Sequence, residues 1–297
     1  MRGPGTPTLD QLQVFLCIVE TGSFAAASRK LGRATSVISY AITNLEAQLG
    51  LTLFDRESTK RPQLTEAGRM VLSEARTIAR GVDGLRARVT GMLEGLEAQV
   101  TVAVDVLLPT ARLTDALTAF SAEFPTVSLR LHVEALGAVS QLVVDRAAVI
   151  GVTGPLQTQL EGLDYIGIGH VELIPVAAPH HPLAQPGGET PGASRDHVQL
   201  VLTDRSRLTE GQDFQVTALR TWRLADLGAK HALLLAGLGW GNMPEPMVRA
   251  DIEAGRLVRL ASPDVIGGPY PLRMVYRTDT PPGPAARWLI ERLRATA

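Results

Sequence analysis

The 297-residue chain predicts an α/β protein in three parts: a winged helix-turn-helix, a long pairing helix, and a larger region where strands and helices alternate. Three patterns carry that expectation. A helix over Ser36–Leu49 divides into an apolar and an uncharged polar face. Apolar residues keep heptad spacing through Thr65–Leu96, and strand-like and helix-like runs alternate from Gln99 onward. The chain also exceeds what one hydrophobic core usually holds, so two or three domains are expected.

Leu9, Leu12, Phe15, Leu16 and Val19 share one helical face, and that helix stops near Gly22. Ser23 is a good N-cap for a second helix, Phe24–Leu31, whose Ala25-Ala26-Ala27 run permits close helix approach. A turn over Gly32–Thr35 leads into the third helix. There Val37, Ile38, Ala41, Ile42, Leu45 and Leu49 fall on one arc, opposite Ser36, Ser39, Tyr40, Thr43 and Asn44, with Ala47 the apolar intruder. An ordinary surface helix covers its outer face with Lys and Glu. Hydroxyls, an amide and a phenol are instead short, uncharged donors and acceptors suited to base edges and phosphates. Phe24–Leu49 therefore reads as a helix-turn-helix with its second helix as the reader.

Two short extended pieces, Leu53–Arg56 and Arg61–Leu64, flank Glu57–Lys60 and predict a wing with basic residues near its ends. Thr35, Ser36, Ser39, Tyr40 and Thr43 are the candidate base-reading residues, with Arg33, Arg56, Lys60 and Arg61 as phosphate anchors. Tyr40 has the alternative of packing on a neighbouring helix, and Arg56 that of pairing with Asp55 or Glu57.

Val71, Ala75, Ile78, Val82, Leu85, Val89, Met92 and Leu96 follow with alternating spacings of four and three, behind a plausible N-cap at Thr65. Such a seam predicts a helix paired with another helix, and Val71, Ile78, Val82, Leu85 and Val89 are the candidate dimerisation residues. Gly81, Gly84, Gly91 and Gly95 each weaken this helix by roughly 0.8–1 kcal/mol relative to Ala, so fraying is expected after Gly91. Beyond it come strands at Val100–Val104, Val127–Val133 and Val149–Val152, with helices at Pro109–Phe124 and Val139–Arg146. The rhythm restarts at Leu173–Ala178, passes Gln199–Thr203 and a helix around Leu219–Ala236, returns at Arg273–Tyr276 and closes with a helix over Ala285–Ala295. Alternation of this kind predicts parallel sheet covered by helices.

Charge is informative once divided. Residues 1–64 hold 7 Lys+Arg against 5 Asp+Glu, net +2, and the remainder 22 against 25, net −3, so the excess is positive where nucleic-acid contact is expected. A single cysteine, Cys17, leaves no internal disulfide and no cysteine metal cluster. The Gly/Pro-rich start shows no signal peptide and no apolar run reaches membrane length, which predicts a cytoplasmic protein.

Leu9–Gly68 resembles the N-terminus of LysR-type transcriptional regulators. The residues carrying the likeness are Phe15, Gly22-Ser23-Phe24, Ala26-Ala27, Leu31, Val37-Ile38-Ser39, Ile42, Leu45-Glu46, Leu49-Gly50, Leu53-Phe54, Arg56 and Leu64-Thr65-Glu66-Ala67-Gly68. The family usually opens its recognition helix with Gln-Pro or Gln-Ser. This chain has Thr35-Ser36, so a glutamine contact to adenine is not carried over. The second half is similar to the family's effector-binding region, through Phe124-Pro125, Val143–Val152, Pro175–Leu183, Ala236–Gly239 and Met243-Pro244-Glu245.

The resemblance implies a DNA-binding domain over 1–64, a linker helix over 65–96, and an effector domain over 97–297 similar in fold to periplasmic binding proteins. Two α/β subdomains, about 97–170 with 272–297 and about 171–271, would be joined by crossovers near Gly169–Leu173 and Pro271–Met274. Double-stranded operator DNA, a small-molecule effector and further copies of the chain, as dimer and tetramer, are the implied partners, with RNA polymerase a further candidate. Ligands of such sheets bind at strand carboxyl ends. That rule nominates Asp105, Leu107, Leu108, Leu136, Thr153, Thr203, Arg205 and Asn242 as effector contacts, with Arg205 either holding an anion or pairing with Asp204, Glu210 or Asp213.

Three other features read as structural. His180-His181 beside Pro182 suggests a solvated loop, Gly237-Leu-Gly-Trp-Gly a tight turn, and Cys17 a small core residue. No convergent nucleophile, base and acid is visible, so neither catalysis nor a cofactor or metal is expected.

Overall fold

The computed structural model describes residues 5–55, 62–93, 95–156, 159–204, 206–209, 211–212 and 214–295. Contacts divide the chain into two units, Met1–Thr90 and Gly91–Ala297.

The first unit begins with α1 (Leu9–Thr21), capped by a reciprocal Thr8–Gln11 box and ended by Gly22 in the left-handed region. α2 (Phe24–Leu31) starts where Ser23 accepts the Ala26 amide, and α3 (Thr35–Leu49) ends at Gly50, again left-handed. The strands β1 (Phe54–Asp55) and β2 (Gln63–Leu64) pair antiparallel as the base of the wing. α4 (Glu66–Leu93) then runs unbroken through Gly81, Gly84 and Gly91. Phe15, Ile18, Ile38, Leu45 and Leu53 are fully buried together, and Phe54 meets the edges of Phe15 and Phe24. Cys17 belongs to this core. α4 starts so close to the wing that a Cβ on Gly68 would overlap the Leu53 carbonyl oxygen, so the position needs glycine.

The second unit is built on one nine-stranded sheet. In chain order its elements are β3 (Gln99–Asp105), α5 (Thr110–Glu123), β4 (Ser128–Glu134), α6 (Gly137–Val144), β5 (Ile150–Thr153) and β6 (Leu163–Ala177). After them come β7 (Gln199–Leu202), β8 (Thr221–Leu224), α7 (Leu227–Leu235), β9 (Trp240–Pro244) and α8 (Glu245–Glu253). β10 (Val258–Arg259), β11 (Gly268–Arg277) and α9 (Pro284–Ala295) complete it. Strand order is β4-β3-β5-β11-β6-β9-β7-β8, with β10 added on β6. β3 lies parallel to β4 and β5, and β7 parallel to β8 and β9. These two parallel groups meet through the long antiparallel pair β6 and β11, in register from Gly268↔Leu173 to Arg277↔Leu163. A bulge between Pro271 and Arg273, and Gly169 at positive φ, interrupt that pair where it passes from one group to the other.

Several elements differ from the sequence expectation, each for a local reason. The helix expected around Leu219–Ala236 is a strand, Thr221–Leu224, followed by a shorter helix. Asp226 caps that helix through the Ala229 amide, which resets its start. Leu173–Ala178 and Arg273–Tyr276 are only parts of the two crossover strands, whose glycines and prolines break the alternating pattern. The turn at Gly237 is present, but Trp240 continues as a central strand. His180 is exposed over Gly237, whereas His181 is buried, its Nδ1 accepting the Leu183 amide and its pKa pushed down to about 4 by burial and by the neighbouring His197 and His180. A solvated His pair is therefore incorrect at His181. Pro109 is the N-cap of α5 rather than part of its first turn.

Candidate nucleic-acid interface and ligand cavity

α3 keeps its two faces in three dimensions. Ile38, Ile42 and Leu45 are buried, while Thr35, Ser36, Ser39, Tyr40 and Thr43 are exposed, Tyr40 at 69%. Tyr40 therefore does not pack into a neighbouring helix. Val37, assigned by periodicity to the apolar arc, is exposed beside this polar face. Thr43 Oγ1 donates to the Ser39 carbonyl at 3.1 Å, a local bond that fixes the hydroxyl's direction along the helix. The Ala34 position offers no side-chain cap, so the first amides of α3 point outward with no side chain of their own over them.

Arg33 precedes this helix and holds Asp10 in a two-pronged ion pair, at 2.7 and 2.9 Å. The guanidinium bonding pulls the Asp10 carboxyl below its ordinary range. Arg56, Lys60 and Arg61 lie outside the described residues.

On α4, Ala75 is buried in the core of its own unit and Val71 is half-buried against it. Val82 is half-buried, and Ile78, Leu85 and Val89 are exposed at 44%, 56% and 48%. A row of large apolar side chains left in water at heptad spacing is what an unpaired coiled-coil face presents.

In the second unit a cavity of about 170 Å³ opens where strands of the two parallel groups end. Its wall includes Leu107, Leu136 and Asn242 from the sequence expectation, joined by Leu173, Leu200, Phe214, Gln215, Lys230 and Tyr270. Asp105 does not line it. That carboxylate is buried behind the wall, accepting from the Leu107 amide at 2.8 Å, the Leu136 amide at 3.2 Å and the Tyr270 hydroxyl at 2.9 Å. Burial raises its pKa to about 6 against those bonds. Asp105 thus ties together the loops after β3 and β4 and the strand β11, an organising role in place of the expected ligand contact. Leu108 and Thr153 are also buried outside the cavity wall, Thr153 accepting from Ser140 Oγ at 3.2 Å, and Thr203 lies outside the lining as well. Arg205 lies outside the described residues. Its neighbour Asp204 accepts the Ala138 amide at the start of α6 and the hydroxyls of Ser206 and Thr209.

Lys230 is the residue that the sequence reading missed. It lies 4% exposed on α7, and its Nζ donates to the Asn242 carbonyl at 2.7 Å. Burial pushes its ammonium down to about 8. A signal was present: Leu227, Lys230 and Leu234 are the buried positions of one helical stripe, so the lysine stands where spacing calls for a hydrophobe. Among the described residues no group of three His, Cys, Asp or Glu could hold a metal ion, and no helix is long and apolar enough to cross a membrane.

Comparison with known proteins adds the following. Residues 9–69 match the bacterial regulatory helix-turn-helix protein, lysR family, and residues 93–297 match the LysR substrate binding domain. The chain is 32% identical over 292 residues to the probable HTH-type transcriptional regulator YhaJ of Escherichia coli, covering 96% of this chain and 95% of that one. It is 30% identical over 254 residues to the HTH-type transcriptional activator AllS of Klebsiella pneumoniae, covering 84% and 93%. The crystal structure of ArgP from Mycobacterium tuberculosis shares the fold, with a TM-score of 0.53 at 24% identity over 98% of this chain and 96% of that one.

Proposed function

This chain belongs to the LysR family of bacterial transcriptional regulators, and from that premise we propose how its own residues read DNA and sense a ligand. Thr35, Ser36, Ser39, Tyr40 and Thr43 enter the major groove and meet base edges. Arg33 and the wing residues Arg56, Lys60 and Arg61 hold phosphates and set the register. The observation that carries this reading is the uncharged polar face of α3 standing in solvent opposite a face on which Ile38, Ile42 and Leu45 are buried.

Two reading heads are needed to span successive half-sites, and the exposed row Ile78, Leu85 and Val89, with half-buried Val82, is the surface that would pair them. Pairs of dimers would form the tetramer. An effector in the cavity of the second unit acts through whatever difference in affinity it has for two arrangements of the protein on DNA. RNA polymerase is the partner such a complex would meet at a promoter, and the cytoplasm is where these partners lie. The protein acts by binding, with no reaction of its own.

Footprinting of the full chain on the DNA upstream of its own gene tests the reading. Protection of two spaced half-sites is expected, together with loss of protection in Ile78→Glu, which should sediment as a monomer. Absence of sequence-dependent protection, or an Ile78→Glu variant that stays dimeric, would overturn the corresponding half of it.

A further inference from the structure

The polar groups that face the cavity divide into committed and uncommitted ones. The Tyr270 hydroxyl is committed to Asp105, and Asn242 Nδ2 to Gln215 Oε1 at 2.7 Å and the Ile266 carbonyl at 3.0 Å. Gln199 spends its amide on the Gln215 carbonyl at 2.8 Å and its oxygen on the Thr217 and Ala218 amides at 3.0 and 3.2 Å. Three groups remain, two donors and one acceptor, the acceptor being Asn242 Oδ1, buried with no partner among the described residues. The Lys230 ammonium has one hydrogen bond, to the Asn242 carbonyl, and no acidic partner among the described residues. The side-chain NH₂ of Gln215, at the exposed rim, has no partner among the described residues. The rest of the lining is apolar, chiefly Leu107, Leu136, Leu173, Leu200 and Phe214.

A buried ammonium with no counter-charge among the described residues is a costly arrangement that folding alone does not call for. At a cavity wall it has a purpose when the missing charge arrives with a ligand. A cationic ligand would be repelled by Lys230, so the ammonium selects an anionic acceptor, and Asn242 Oδ1 leaves a place beside it for a donor. Size narrows the choice further. A dry apolar cavity of ~150 Å³ holds one benzene ring, and this cavity measures about 170 Å³.

We propose that the cavity takes a small carboxylate with an apolar body of one ring or one branched chain, its carboxylate on Lys230 with Gln215 closing over it at the rim. This assignment rests on the effector-binding reading of the second unit and names the chemistry of that site. A charge-assisted bond from the buried ammonium gives the carboxylate an advantage of roughly ten- to a hundredfold in Kd over its neutral amide.

The test uses the full chain with benzoate and isovalerate as probes, against benzamide and isovaleramide, by calorimetry and thermal shift. At least one carboxylate is expected to bind and raise Tm, with its amide at least about tenfold weaker. In Lys230→Met, which keeps the bulk and removes the charge, carboxylate and amide are expected to bind alike. Gln215→Leu is expected to weaken the carboxylate by a smaller factor. Equal binding of acid and amide to the wild type overturns the proposal, as does no binding of either carboxylate or a preference that survives in Lys230→Met. If Lys230→Met fails to fold, the comparison of acid and amide in the wild type still decides. The same samples are assayed for binding to upstream DNA. Retained DNA binding with no carboxylate preference removes only the ligand class, whereas loss of sequence-dependent DNA binding removes the regulatory reading itself.

Discussion

The outer face of α3 comes from 15 consecutive residues, whereas the cavity wall is drawn from positions scattered between Leu107 and Tyr270. The first surface is uncharged, polar and open to water; the second is a largely apolar cavity with a buried ammonium in its wall. Each chemistry follows from what the site has to recognise. Short neutral donors and acceptors discriminate base edges because those edges differ by hydrogen-bond pattern, while the phosphates supply the charge. A largely apolar cavity gains selectivity from one buried charge, because that charge is expensive until it is matched. The local surface is rigid by virtue of one helix and its buried face. The scattered one depends on a buried carboxylate, Asp105, to hold its loops in place.

That dependence gives the largest expected effect. Asp105→Ala leaves the Leu107 amide, the Leu136 amide and the Tyr270 hydroxyl without their acceptor. Losing it should destabilise the second unit by about 3–5 kcal/mol, at roughly 1–3 kcal/mol for each buried group left unsatisfied. Trp222, Trp240 and Trp288 all lie in that unit, so tryptophan fluorescence during denaturation reads it selectively. A shift below about 1 kcal/mol would show that the loops hold themselves and that the contrast with α3 is overstated.

The same contrast governs what could be read from the chain alone. Gly22, Ser23 and both faces of α3 are visible in sequence because caps and helical periodicity are short-range rules, and the structure keeps most of them. Even there Val37, placed by periodicity on the apolar arc, is exposed. In the second unit the strand carboxyl ends led to Leu107, Leu136 and Asn242, which line the cavity. They also led to Asp105 and Thr153, which face into packed structure, and away from Lys230. A side chain's direction at a strand end is set by the pairing of strands distant in sequence, such as β6 with β11, and no local pattern encodes it.

Lys230 offers a second way to sharpen the comparison, through pH. Its folded-state pKa is lowered to about 8 from 10.5. The unfolded chain therefore binds more protons than the folded one across that window, so stability rises with pH there and falls again as pH drops through 8. Relative to Lys230→Met, the wild-type second unit should gain about 3 kcal/mol between the two pH values. Denaturant midpoints of both proteins at each end of the window measure it. Parallel curves would mean that the ammonium is solvated in the folded protein and is not the charge that defines the cavity.

The reading face predicts the reverse pattern, a change in binding without a change in stability. Ser39→Ala and Thr43→Ala remove exposed hydroxyls, so folding should move by less than about 0.5 kcal/mol. Operator affinity should fall by about 1–3 kcal/mol with relaxed preference at one base position. Titration against a set of operator variants separates this from uniform weakening, which would assign the hydroxyls to phosphates instead.

The smallest effect concerns Arg33, a charge at the entry to α3 whose partner is visible. Arg33 is held by Asp10 in an exposed pair, so a phosphate has to compete with that carboxylate. Lys230, by contrast, waits for an acid that the described residues do not supply. Asp10→Asn should free the guanidinium while leaving a hydrogen-bonding side chain in the first turn of α1. If Arg33 is a phosphate anchor, DNA binding should tighten slightly for all sequences alike. The slope of log K against log salt should steepen by up to about 0.9, one phosphate's share of counterion release. An unchanged slope would mean that Arg33 serves only to fasten α3's entry to α1. Electrostatic recognition by the first unit would then rest on the wing residues Arg56, Lys60 and Arg61.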